Sequence, residues 1–217
     1  MGGFELNIIE GIYQRKSIRK YKNEVVKRED IVKCLEAAVE APSPKHQQNW
    51  YFVVVEKKEL IETMAQLVEE SHKRIGEYAE NEKEKQKFMR FMSYYTLFKD
   101  APVVVLVYAK PYVMIEEKLL RAGGAGEEVI DALKVPQSAA QGIGAAVENF
   151  LLAATELGYG TCYMTGPTHA KSEIETLIGV VKPEYELMSL IAMGVPADET
   201  TEKPKRLPLD QVVTFIE

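Results

Sequence analysis

Only two cysteines, three histidines and one tryptophan occur among the 217 residues, and each scarcity closes a route. Cys34 and Cys162 stand far apart and form no CxxC pair. This argues against a disulfide framework or thiol-redox motif, suits a reducing cytoplasm, and makes each a small buried hydrophobe. His46, His72 and His169 are scattered, none beside a second ligand at useful spacing, so no metal site is predicted. His72, in a charged stretch, is expected at the surface, and His169, after Pro167, in a loop without a role. No G-x-S-x-G motif and no Cys/His pairing offers an acyl-transfer nucleophile. No apolar run approaches the roughly 20 residues that span a bilayer. The longest, residues 101–109, reads as a buried strand, so no membrane association is expected. Residues 1–10 lack a basic stretch leading into an apolar block, so no secretory signal is predicted. Positive charge is not in excess either: 27 lysines and arginines face 33 acidic residues, for a net charge of -6 and a pI of about 5.3. That balance argues against a nucleic-acid partner.

What remains is an ordinary globular mixture, 46% hydrophobic and 28% charged, long enough to bury a sizeable core. One domain over residues 1–217 is expected, with a variable excursion around residues 111–135. Apolar spacing predicts a short amphipathic helix over 6–13 and a second helix over 28–40, stopped by Pro42 and Pro44. The aromatic and β-branched run 50–55 predicts a strand. Residues 59–90 carry Leu60, Met64, Leu67, Ile75 and Tyr78 at helical spacing, predicting one or two exposed helices. The aromatic stretch 91–98 leads to a strand over 103–108. Gly123, Gly124 and Gly126 mark 111–135 as a loop or mobile excursion. Residues 137–157 form a long helix rich in alanine and glycine, capped by Gly158. Residues 159–164 read as a strand, 172–178 as a short helix ended by Gly179, and 186–195 as an apolar strand. Residues 197–208 are a polar tail, and 209–215 close the chain. Helices outnumber strands in irregular order, which makes the class α+β rather than an alternating βαβ sheet.

The chemistry-bearing candidates are basic. Arg15, Lys16, Arg19 and Lys20 surround Ser17, and Lys203, Lys205 and Arg206 form a second cluster near the other end. A phosphomonoester wants several cationic donors, with arginine supplying a planar fork. Two such clusters could converge on one phosphate, or both could be solvated surface. The glycines do not make a dinucleotide fold. Gly142-Ile143-Gly144 continues into Val147 where a third glycine belongs, and it lies inside a helix rather than between strand and helix. Since the side chains offer no obvious reaction, any chemistry points to a cofactor.

Several segments resemble, in order along nearly the whole chain, the signatures of the nitroreductase family. Arg15-Lys16-Ser17-Ile18-Arg19 after a short helix resembles its opening signature. Residues 41–52, Ala41-Pro42-Ser43 through Gln48 and Trp50, resemble the second, although His46 stands where the family often has Asn and Asn49 where it has Pro. Residues 148–158 resemble the central helix, Tyr163-Met164-Thr165-Gly166 the passage over the flavin, and Gly194-Val195-Pro196 the end of a strand. Lys205-Arg206-Leu207-Pro208 resembles the C-terminal basic clamp. Trp50 reads as a packing residue and Cys162 as structural.

The resemblance implies a mixed or antiparallel central sheet flanked by helices, in an intertwined homodimer that holds FMN in two interfacial clefts. It puts the phosphate on Arg15, Lys16, Lys205 and Arg206, and the ribityl chain and pyrimidine edge near Ser17 and Arg19. No side chain is assigned as catalytic; Arg19 gives electrostatic support near flavin N1. Pro42, Ser43 and Pro44 from the other subunit would cover the ring, His46 would sit near the ribityl contacts, and a backbone N–H near Thr165 or Gly166 would face N5. The activity implied is hydride transfer from NADH or NADPH through FMN to a small acceptor, such as a nitroaromatic or quinone, in ping-pong order. Dehalogenation, flavin fragmentation and non-catalytic flavin binding are the alternatives.

Overall fold

The computed structural model describes residues 7–179, 182–197 and 202–216. The expected helix start at Leu6 and part of the tail, residues 198–201, lie outside them. At the centre is a four-stranded sheet of β1 (Trp50–Val55), β2 (Val103–Ala109), β3 (Gly160–Met164) and β4 (Glu186–Gly194). The strand order is β1-β2-β4-β3 and every pair is antiparallel. All seven residues of β2 are buried. Its valines suit a strand with helices on both faces, where branched side chains fill a pleated surface from either side.

The helices follow as α1 (Ile8–Gln14), α2 (Arg28–Val39), α3 (Lys58–Gly76), α4 (Glu82–Met89) and α5 (Met92–Tyr95), then α6 (Ile115–Ala122), α7 (Glu127–Lys134), α8 (Ser138–Glu156) and α9 (Lys171–Ile178). One sheet face presents Trp50, Val105, Val107 and Ile191 to α2 and α8, where Ile31, Cys34, Ile143, Val147 and Phe150 are buried. The other presents Val104, Leu106, Leu190 and Ala192 to α3 and α9, against Met64, Val68 and Ile174. Burying a side chain such as the fully covered Phe150 stabilises the fold by about 1.5–3 kcal/mol. Asn149 of α8 donates to the Ala37 carbonyl of α2 at 3.1 Å and ties the two helices together. A bulge at Met188 of β4, opposite Val107 and Tyr108, shifts the β2–β4 register and turns Leu187 to the α3 side, which Tyr108 already faces.

Three expectations need correction. The stretch 111–135 is not a loop: its glycines make only the turn between α6 and α7, whose amphipathic helices bury just Ile130. The apolar stripe of α3 runs through Ile61, Met64, Ala65, Val68, Ser71 and His72, one step round from the expected face, and leaves Ile75 and Tyr78 exposed. His72 is therefore fully buried rather than on the surface. The apolar residues of the expected amphipathic helix α1, Ile8, Ile9, Ile12 and Tyr13, are all exposed within the chain.

Candidate functional site

The two ends of the chain meet at α1. Asn7 caps this helix by accepting from the Glu10 N–H, and the helix ends at Arg15. Lys203, from the tail, donates from Nζ to the Ile12 and Tyr13 carbonyls, at 3.0 and 3.2 Å. A cation there satisfies the unpaired carbonyls of the helix end. Arg15 and Arg206 are close enough to depress the Lys203 ammonium below its usual range, behind burial as the leading cause. Three cations thus share one neighbourhood. The acidic partner of Arg15 is Glu148 of α8, with Nε 3.3 Å from Oε1; the Arg15 side chain is 16% exposed and that of Glu148 is 50% exposed. Glu148 offsets part of this positive charge, and what is left is of the sign and density that could hold a phosphate dianion. Lys16 is half-buried nearby, and Lys205 is exposed.

From Arg15 the chain runs along the sheet edge. The Ile18 N–H donates to the Thr161 carbonyl at 2.8 Å, and Ser17 bridges to Thr161. Ile18 is buried over Gly160, where an added Cβ would stand 2.6 Å from Ile18 Cγ1, so only glycine admits this approach. Tyr21 donates to the Ile18 carbonyl at 2.7 Å, and Lys22 and Ala197 pair with Val195 and Lys20. The basic turn is thereby fixed against β3 by main-chain bonds. Arg19 is exposed and bonds the Ser17 carbonyl at 3.4 Å; its charge reaches the buried Cys162 thiol, which burial holds up and Arg19 draws down. Buried thiols with raised pKa values, Cys34 up to about 12, are inert as nucleophiles at neutral pH, in line with the structural reading.

β3 leads from this turn to Thr165 and Gly166, roughly 13 Å along the strand at about 3.3 Å per residue. Thr165 begins a 3-10 turn over Gly166–Ala170, and its carbonyl accepts from the Thr168 hydroxyl at 2.7 Å. Gly166 lies under the Tyr95 ring so closely that any Cβ would overlap it. Behind this turn the two histidines left without a role come together. His169 Nδ1 is 2.9 Å from Ser71 Oγ, His72 Nε2 is 3.0 Å from the Phe88 carbonyl, and the His72 ring stacks on Phe88. His169 is thus a packing residue beneath residues 165–166. Helical spacing from Ile61, Ala65 and Val68 to His72 is the signal that places His72 inside.

Pro42, Ser43, Pro44 and His46 occupy a separate feature, the loop after α2. Pro44 packs on α8 at Gly142, where an added Cβ would be 3.3 Å from its Cδ. Lys45, His46 and Gln48 all have positive φ, at 47°, 53° and 44°. Such non-glycine conformations cost of order 1 kcal/mol each and persist only where the surroundings hold them. Here Ser43 Oγ accepts from the Gln48 N–H, His46 Nε2 and Gln48 Nε2 lie 2.8 Å apart, and Lys45 pairs with Glu116 at 3.1 Å. Gln47 makes two bonds to Val113: its amide donates to the carbonyl at 2.9 Å and its oxygen accepts the N–H at 3.0 Å. The loop and the α6–α7 excursion are therefore one unit. Sequence reasoning missed this unit, as it missed Glu148, because bonds between remote segments leave no local pattern.

An antiparallel four-stranded sheet with a basic turn pinned to its edge, and a tail cation returning to the same helix end, is an α+β arrangement and not a dinucleotide fold. The chain belongs to the nitroreductase family, whose model matches residues 12–195. It is 36% identical to a BluB-like flavoprotein of Clostridium difficile 630, with a TM-score of 0.93, covering 98% of this chain and 100% of that one. An iodotyrosine deiodinase of Thermotoga neapolitana is 27% identical over 203 residues, 93% of this chain and 95% of the relative. The fold is also that of a nitroreductase with bound FMN from Bacteroides fragilis, with a TM-score of 0.72 at 21% identity, over 98% of this chain and all of that one.

Proposed function

We propose that this protein is an FMN-dependent oxidoreductase taking electrons from NADH or NADPH and passing them to a small acceptor, a nitroaromatic or a quinone. The observation that carries the reading is the meeting of Arg15, Lys203 and Arg206 at the end of α1. The redox step itself, hydride accepted from a nicotinamide and then delivered to an acceptor in the vacated place, is the chemistry FMN supplies when bound.

The chain's own residues supply grip and field. Arg15, Lys16, Lys205 and Arg206, joined by Lys203, hold the phosphate. Ser17 lies along the ribityl chain. Arg19 brings positive charge to the edge where negative charge collects on reduction, which favours electron uptake. A backbone N–H near Thr165 or Gly166 would face the ring. Pro42, Ser43 and Pro44 would close the ring from a second subunit and exclude water, which strengthens these charge effects, and His46 would sit near the ribityl contacts. A homodimer also accounts for the exposed apolar surface of α1 and of Leu207, Leu209, Val212, Phe215 and Ile216, since patches of this kind mark partner contacts. The α6–α7 unit, tied to the 42–48 loop, shapes the acceptor side. The whole chain acts as one FMN-binding domain, and its two buried free thiols suit a cytoplasmic setting.

The test is anaerobic. Purified protein should be yellow and bleach rapidly with NADH or NADPH, then regain colour with a quinone. Arg15→Ala should weaken FMN binding by roughly 1.5–3 kcal/mol, the worth of a charged hydrogen bond. Glu148→Gln, which removes only the ion-pair partner, should leave FMN bound. Equal losses from both variants would make Arg15 a structural residue and overturn the assignment. The Thermotoga relative favours one second reading, reductive dehalogenation of a halogenated aromatic amino acid; iodide release from iodotyrosine by the reduced protein would select it.

A further inference from the structure

On the α3–α9 side of the sheet, away from α1 and α8, lies a cavity of about 410 Å³. Its walls bring together Tyr51 of β1, Tyr108 of β2 and Tyr185 just before β4, with Glu175 of α9 and Lys182. Tyr51 and Tyr108 are direct cross-strand partners. Their ring centres are 6.3 Å apart and tilted by 54°, and Tyr51 and Tyr185 are 5.7 Å apart at the same tilt. The Lys182 ammonium lies 4.0 Å from the centre of the Tyr51 ring and 5.5 Å from that of Tyr185. Tilted aromatic faces around a cation are the arrangement by which proteins bind ammonium groups, since the negative face of each ring attracts the charge.

Two further features give the cavity its sign. Glu175 is half-buried and held in place by the Leu187 N–H, 3.3 Å from Oε1. This carboxylate favours a cation; it is set against Lys182 in the same wall and against Lys110, whose ammonium lies 5.8 Å from the centre of the Tyr185 ring. Tyr108 is 4% exposed, and its hydroxyl has no partner among the described residues. Burial, with the Glu175 charge, pushes its pKa up to about 12, so it stays a neutral hydroxyl. Among the described residues no carboxylate forms an ion pair with Lys182; the ring faces hold it.

We propose that this cavity is a binding site for small alkylammonium compounds, with the Lys182 side chain as a built-in occupant that an entering ligand displaces. The four-carbon stem of Lys182 sets the size of ligand that fits, and a volume of about 410 Å³ falls in the range of small-molecule sites. The proposal does not depend on the flavin reading, because it concerns the opposite face of the sheet.

The test uses FMN-saturated protein titrated with n-butylammonium chloride, followed by calorimetry and tyrosine ring-proton shifts. Lys182→Ala should bind n-butylammonium at least about tenfold more tightly than the wild type, because a tethered competitor at millimolar effective concentration is removed. In that background Tyr51→Leu should abolish binding, and Glu175→Gln, which leaves the rings intact, should weaken it several-fold. Neutral 1-butanol should not bind. Equal binding of butanol and butylammonium would make this an unselective apolar crevice. Binding of inorganic phosphate in the wild type that is lost in Lys182→Ala would make it an anion site. Equal affinity of wild type and Lys182→Ala would show that Lys182 is no occupant. Each of these results overturns the proposal.

Discussion

The substitution Gly160→Ala tests how the basic turn is positioned. The new methyl would stand 2.6, 2.7 and 2.8 Å from Cγ1, Cβ and Cγ2 of Ile18, whereas carbons rest about 3.5–4.0 Å apart. Ile18 must therefore retreat by roughly 1 Å. Its N–H bond to Thr161, now 2.8 Å, would stretch beyond hydrogen-bonding range. Overpacking of this kind costs about 1–3 kcal/mol, and a lost backbone bond adds about 1 kcal/mol. At roughly 2–4 °C per kcal/mol for a chain of this size, the melting temperature should fall by about 4–16 °C. FMN affinity should fall with it, since Arg15 and Arg19 move with Ile18. The readouts are thermal melting by circular dichroism and fluorescence titration with FMN. Ile18→Ala/Gly160→Ala should recover part of the loss relative to the two single costs, because the smaller side chain makes room for the methyl. A melting temperature within one degree or so of wild type, with unchanged FMN affinity, would refute the packing argument.

Other perturbations separate the remaining parts of the site. Arg19→Ala should slow flavin reduction by nicotinamide more than it weakens FMN binding; equal effects on both would remove Arg19 from the pyrimidine edge, and stopped-flow bleaching reads the difference. Gln47→Ala should free α6 from the 42–48 loop and speed amide exchange over 112–122 without changing exchange in β2; unchanged exchange would show that the Gln47–Val113 pair holds nothing. His169 is held below the usual imidazole value of about 6.5, first by burial and then by His72 and Arg74, with Glu173 opposing. The unfolded chain therefore binds this proton more readily. The stability it confers is complete above about pH 6.5 and declines as pH falls through that value towards the folded pKa. Urea midpoints across that window should drop in wild type and drop less in His169→Gln; parallel curves would contradict this.

The strands were legible because their residues satisfy two demands at once. Trp50–Val55 is aromatic or β-branched and covered at least in part, and Val103–Ala109 is mostly β-branched and buried throughout, so local preference and tertiary need agree. The same agreement makes α8 readable, down to Gly158 at φ 82° beyond its end. The α3 stripe was misplaced because Leu60, Leu67 and Ile75 are apolar yet flank the buried face, while the inward Ser71 and His72 are polar. The excursion was hidden by its glycines and by how little α6 and α7 bury; short helices with small cores leave a weak periodic signal. In the site, both basic clusters were visible as composition. Lys203 rather than Lys205 makes the bonds to α1, a choice set by where the tail returns. The apolar residues of α1 showed an amphipathic helix correctly but not what covers it.

The account rests on the phosphate being gripped by both ends of the chain, and comparing FMN with riboflavin on the flavin-free protein measures that grip directly. Two charged contacts at about 1.5–3 kcal/mol each predict FMN bound at least about 100-fold more tightly than riboflavin. That preference should shrink in Arg15→Ala and in Lys203→Met. Riboflavin binding as tightly as FMN, to within about threefold, would contradict the account.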